Sequence, residues 1–170
     1  MSTRARLTLA GAIALLSAVG IGIVVAGWFA GDAPLALPRG LHASPAAAPF
    51  SGYREVQMRF GARCARVAVA DTEARRQRGL RDAGDRLGPY AGMLFVQPAD
   101  SEVAFTMSGM TVPLDLTWFA ADGSRIGRRR MRACRRAIAA CPLYRAPRPY
   151  RFALETPAGA APGVSVSPCV

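Results

Sequence analysis

Four cysteines, a pair of carboxylates and a dense run of arginines are the residues of this 170-residue chain best placed to do chemistry. The cysteines are Cys64, Cys134, Cys141 and Cys169, an even number that points to disulfides if the domain is exported. Cys134 and Cys141 enclose RRAIAA; a bridge there would close a loop of eight residues and contribute about 2–3 kcal/mol. A four-cysteine zinc site fits poorly, because structural zinc takes cysteines paired two to four residues apart. The CxxC spacing of redox-active thiols is absent as well. No metal and no cofactor is expected.

The carboxylates worth singling out as weak catalytic candidates are Asp115, in VPLD, and Glu155, in YRFALETP. If the fold brought them together they could share a proton, which would support a hydrolase of unknown type. The bland reading is a carboxylate that fastens a loop through backbone hydrogen bonds. Ser101, Ser108 and Ser124 have no histidine to activate them, since the single histidine, His42, lies in a proline-rich stretch. A glycine-rich phosphate loop, HExxH and a calcium loop are all missing.

Arg125, Arg128, Arg129, Arg130, Arg132, Arg135 and Arg136 fall within twelve residues. Guanidinium groups grip phosphate and carboxylate, so this cluster reads either as a surface for anionic lipid or envelope polymer or as a solvated edge strand whose charge discourages pairing. The net charge of +11 fits the first reading, but all 22 basic residues are arginine, which reflects a compositional bias. Met93, Met107, Met110 and Trp118 read first as core filling. A shallow pocket beside Met107, Pro113, Asp115 and Tyr144 is the alternative, and it would make the domain a small-ligand-binding module.

The elements that must hold these residues can be read from period and punctuation. Residues 1–6 form a basic lead, and no charge occurs from Leu7 to Ala30. At about 1.5 Å per residue this run is long enough to span a bilayer, as an uncleaved anchor with a cytoplasmic N-terminus or as a signal segment cleaved near Ala26. Either reading places the rest outside the cytoplasm, makes nucleic acid a poor partner and leaves the membrane as the first expected one. Residues 31–52 are rich in Pro, Ala and Gly and read as a linker. The domain is expected over 53–170. Alternation in 53–60 and 63–70 predicts two strands, and Asp71 to Gly79 predicts a short capped helix. MLFV at 93–96, then 102–107 and 113–120, predict further strands, with Asp122-Gly123 as a hairpin turn and RIGRRRMR beyond it. Residues 150–157 alternate Phe152 and Leu154 against Arg151, Ala153 and Glu155. The stretch FTMSGMTVPLDLTWFAADG is thus strand, turn and strand, not a catalytic loop. The whole is a mainly β chain, a compact β-sandwich or barrel-like α+β domain with one or two short helices behind a transmembrane helix, expected to be monomeric.

Taken in order, ARRQRGL at 74–80, GMLFV at 92–96, MSGMTVPLDLTWFAADG at 107–123, CPLY at 141–144 and YRFALETPAG at 150–159 resemble the DUF192 family, also called UPF0127, over about residues 53–167. The family's GLM is Gly79-Leu80-Arg81 here, and its FWMKN is Phe105-Thr106-Met107-Ser108-Gly109. Any activity that depends on the replaced Trp, Lys and Asn is therefore altered in this chain. The resemblance favours pairing Cys134 with Cys141, because a cysteine before CPLY recurs among exported members. It leaves Cys64 and Cys169 as partners, tying the second strand to the tail. It implies a compact β-rich fold and no established activity. The reading that follows is a membrane-anchored envelope domain with a non-catalytic role at an anionic surface.

Overall fold

The structure, a computed structural model, describes residues 33–81, 83, 86–160 and 163–169. Its strands are β1 (Ser44–Pro45), β2 (Arg54–Phe60), β3 (Arg63–Ala70), β4 (Tyr90–Ser101), β5 (Phe105–Thr106), β6 (Leu114–Phe119), β7 (Arg125–Met131), β8 (Leu143–Tyr144), β9 (Tyr150–Pro157) and β10 (Val164–Pro168), with one α-helix, α1 (Glu73–Arg78). Eight strands form one mixed sheet in the order β1-β2-β3-β4-β9-β6-β7, with β10 also paired to β2. β5 and β8 make a separate two-stranded ribbon. The pairings are antiparallel except β3 with β4, which run parallel because the connection between them crosses over through α1.

Residues alternate across the sheet, so it carries a core on each face. Met93, Phe95, Leu114, Leu116 and Trp118 share the first face with Leu80, Met107 and Met110 from the loops. Val67, Val69, Leu94, Val96, Phe152 and Leu154 share the second with Phe119, Val164 and Val166. This explains the uninterrupted apolar run MLFV: β4 is covered on both sides. The sheet also curls. A Cβ added to Gly123, in the β6–β7 turn with φ of 84°, would stand 3.2 Å from the Val166 carbonyl oxygen of β10 at the opposite end of the strand order.

Several expectations are corrected. The sandwich gives way to this single mixed sheet with one short helix. The transmembrane helix expected over 7–30, and the cleavage point near Ala26, lie outside the described residues. Among the described residues no helix is long and apolar enough to cross a membrane. α1 has six residues where a span needs about 20. The membrane-anchored architecture, the membrane as partner and the single-pass location are therefore not carried forward. The linker behaves differently from a tether over 33–52: Leu41 and Phe50 are buried, and Ser44–Pro45 pairs with β2. The strand expected over 102–107 is divided, β4 running on to Ser101 and β5 keeping only Phe105–Thr106. α1 is capped by Thr72, whose hydroxyl accepts from the Arg75 N–H, while buried Asp71 pairs with Arg54 at 2.5 Å and Arg75 at 2.7 Å. Two disulfides are formed, Cys134–Cys141 and Cys64–Cys169.

Candidate ligand cleft

The position of β9 decides which residues can work together. β9 lies between β4 and β6, with Glu155 opposite Met93 on one side and Leu116 on the other. Its side chain therefore points to the first face of the sheet. Asp115 is opposite Thr156, one register position away, and points to the second face. The two carboxylates are separated by the sheet itself. Joint carboxylate chemistry, and with it the hydrolase reading, is excluded by this geometry.

On the second face Asp115 is fully engaged. Its Oδ2 accepts from Arg128 Nη2 at 2.6 Å and from the Gly159 N–H at 2.5 Å, and its Oδ1 accepts from Arg130 Nε at 3.1 Å. Burial alone would raise its pKa, but the bonds from Arg130, Gly159 and Arg128 outweigh burial and hold it down to about 2. The side chain ties β6 to β7 and to the turn after β9. Arg128 and Arg130 are thus structural partners of Asp115, while Arg125, Arg129, Arg132, Arg135 and Arg136 are exposed.

On the first face Glu155 lies at a cleft of about 520 Å³. Three segments build it. α1 ends at Gly79, whose φ of 55° turns the chain so that Leu80 enters the core and Arg81 remains exposed at the cleft. A Cβ on Gly79 would meet the Phe95 ring at 3.5 Å, so helix and strand approach closely there. β4 supplies Phe95 and Gln97, and the chain from Val103 to Thr106 forms another wall. Phe95 and Phe105 meet edge to face at 5.1 Å. Met110 and Ile138 complete the apolar lining; both belong to the region fixed by Cys134, whose N–H and C=O bond to Met110 and Gly109 and whose sulfur closes the loop containing Ile138.

The polar groups are few. The Tyr150 hydroxyl donates to the Val103 carbonyl at 2.9 Å and accepts from Gln97 Nε2 at 3.4 Å. Burial, against weaker contrary pulls from Ser101, Gln97 and the Arg76 charge, pushes its pKa up to about 12, so it stays a neutral donor. Arg76 donates to the Val96 carbonyl at 3.1 Å. Glu155 is 5 % exposed, and among the described residues its carboxyl accepts no hydrogen bond and forms no ion pair. Burial pushes its pKa up to about 8, against a weaker pull from the Arg81 charge. At neutral pH this carboxyl holds its proton and is a hydrogen-bond donor facing the cleft. No group of three or more His, Cys, Asp or Glu among the described residues could hold a metal ion.

The pocket expected beside Met107, Pro113, Asp115 and Tyr144 does not form as one site. Met107 is buried in the core, Pro113 is exposed, Asp115 serves the opposite face, and the Tyr144 hydroxyl accepts from the Arg132 N–H at 3.0 Å. None of the four lines the cleft. Arg76, Arg81, Gln97, Phe105 and Tyr150 were not singled out by sequence reasoning. The available signal was Glu155 itself, an acid inside a strand that is otherwise buried from Phe152 to Thr156.

Comparison with known proteins agrees with this architecture. The DUF192 family model, described as "Uncharacterized ACR", matches residues 56–168. Among curated proteins no relative matches the chain. A protein of unknown function from Novosphingobium aromaticivorans DSM 12444, solved by crystallography, is 22% identical, with a TM-score of 0.55 over 72% of this chain and 90% of that one. A putative transcription regulator from Sinorhizobium meliloti 1021 is also 22% identical, with a TM-score of 0.49 over 62% of this chain and 81% of that one. The family match covers more than half of the sequence and takes in nearly the whole sheet and the cleft: the chain belongs to the DUF192 family.

Proposed function

We propose that this domain binds a small molecule with an apolar body and one polar head in the cleft on the first face of the sheet. The observation that carries the reading is Glu155: a buried carboxyl left without a partner inside an apolar cleft is a destabilising feature that a purely structural domain has no use for. The volume and lining support it, since small-molecule sites are concave, mostly apolar clefts of about 300–1,000 Å³ with a few converging polar groups. Phe95, Phe105, Met110 and Ile138 offer the apolar surface; Glu155 with Arg81, and the hydrogen-bonded pair Gln97 and Tyr150 further along the strands, supply the polar groups of the lining.

The test is a fragment screen by two-dimensional NMR on the folded chain, repeated on Thr106→Trp, which places an indole in the cleft wall. The expected result is a set of fragments that shift the amides of Phe95, Phe105 and Met110 in the parent and lose that effect in the variant. A screen with no shifts at these residues, or with shifts that persist unchanged in Thr106→Trp, would overturn the reading.

A further inference from the structure

We propose that the molecule taken by this cleft is an organic acid, its apolar body against Phe95, Phe105 and Met110 and its carboxylate held between the Arg81 guanidinium and the Glu155 carboxyl. This deepens the binding reading above and rests on it. Glu155 from β9 and Arg81 from the turn after α1 line the same cleft, and among the described residues neither carboxyl nor guanidinium makes a hydrogen bond or a close ion pair; they feel each other only through the longer-range pull of the Arg81 charge on Glu155. A carboxylate satisfies both, accepting a charge-assisted bond from the guanidinium and the carboxylic proton of Glu155.

The remaining charges select against the opposite sign. The titratable groups that line the cleft with Glu155 are Glu73, Arg76 and Arg78 from α1, Arg81 from the turn beyond it, Asp100 from β4 and Tyr150 from its own strand. Asp100 is neutralised by Arg151 at 3.1 Å, and the Glu73 carboxylate accepts from Gln77 Nε2 at 3.0 Å. Tyr150 is neutral. Even with Arg78 left out of the count, the Arg76 and Arg81 guanidinium groups against Glu73 and a protonated Glu155 leave the cleft cationic, which attracts an anion and repels an amine. An ammonium group would also require Glu155 to ionise in its buried position.

Protonation of Glu155 then becomes linked to binding. The carboxylate of the ligand favours the protonated form, so binding is strongest where Glu155 already holds its proton. Affinity should be flat below about pH 8, where burial has placed the Glu155 pKa, and fall up to ten-fold for each pH unit above it.

The experiment uses three probes with one body, 4-phenylbutyrate, 4-phenylbutanamide and 4-phenylbutylamine, titrated by NMR into the full chain at pH 7 and pH 9. The acid should bind at least ten-fold tighter than the amide at pH 7 and lose that advantage at pH 9. Arg81→Ala, at an exposed position, should weaken the acid about ten-fold and leave the amide unchanged. Glu155→Gln should bind the acid within about three-fold of the parent at pH 7 and show no loss at pH 9. Amide or amine binding in the cleft as tight as the acid, or an Arg81→Ala variant that binds the acid normally, would overturn the organic-acid inference and leave the binding reading standing. If none of the three shifts cleft residues, both readings fall together.

Discussion

Asp115 and Glu155 stand one register position apart on neighbouring strands, and their circumstances are opposite. Both are nearly inaccessible to solvent. Asp115 faces Arg128, Arg130 and the Gly159 N–H, and is held ionised far into acid. Glu155 faces aromatic rings and an open cleft, and is held neutral to mildly alkaline pH. Burial acts on both in the same direction. What differs is the supply of donors, and this supply is set by the face of the sheet to which each side chain turns. A carboxylate on the arginine-bearing face of the β6–β7 pair becomes a structural pin. A carboxyl one step along, on the face covered by α1 and the loops, becomes a group waiting for a partner.

The sharpest way to break this contrast is stability against pH. An unfolded glutamate loses its proton above 4.5, whereas folded Glu155 keeps it to about 8. In that window the unfolded state binds fewer protons, so stability is full below about pH 4 and declines as pH rises, by about 3 kcal/mol at pH 7. Glu155→Gln removes the decline and should be about 3 kcal/mol more stable than the parent at pH 7, with no difference at pH 4, in urea unfolding curves. Equal stability at both pH values would remove the contrast.

Asp115→Asn should act in the reverse sense. Folded Asp115 titrates near 2 against an ordinary 3.8, so its contribution is present above about pH 4 and is lost as pH falls toward 2. The variant should be about 2 kcal/mol less stable than the parent at pH 7 and equal to it near pH 2, by the same measurement. A comparable loss, about 2 kcal/mol, is expected when Cys134 and Cys141 are both changed to Ser, since the chain between them no longer has its ends joined in the unfolded state. That double variant should also loosen the Met110 and Ile138 wall of the cleft and leave the Asp115 cluster untouched, which hydrogen exchange at Gly159 against Met110 reads directly. The smallest effect belongs to Thr106→Trp: stability within about 0.5 kcal/mol of the parent, because the half-buried side chain faces open space, yet with the apolar wall blocked.

Much of the strand framework was legible because period two is a local property. The strands expected at 63–70 and 150–157 coincide with β3 and β9, and the hairpin at Asp122-Gly123 joins β6 to β7. The cleft was not legible, because it depends on which strands are neighbours. The alternation in YRFALETP puts Glu155 on the same side as Arg151, but period two cannot show that Leu80, Met107 and Met110, with the end of α1, cover that side of the sheet. Arg81 was passed over for a related reason: it was seen only as a departure from the family's GLM, and nothing local says that Gly79 turns the chain over the Phe95 ring. Counting charges along the chain could not show that Arg128 and Arg130 are spent on Asp115 across the β6–β7 pair.

The place of β9 also sets the order in which the molecule can be completed. It pairs with both β4 and β6, although both precede it in the chain. During synthesis the two halves of the sheet must wait, each with an unpaired edge, until residues 150–157 leave the ribosome and close the gap. A chain stopped before Tyr150 would lack the strand that joins those halves as well as the acid in the cleft, so one eight-residue strand, Tyr150–Pro157, decides at once whether the sheet can close and whether there is anywhere for a ligand to go.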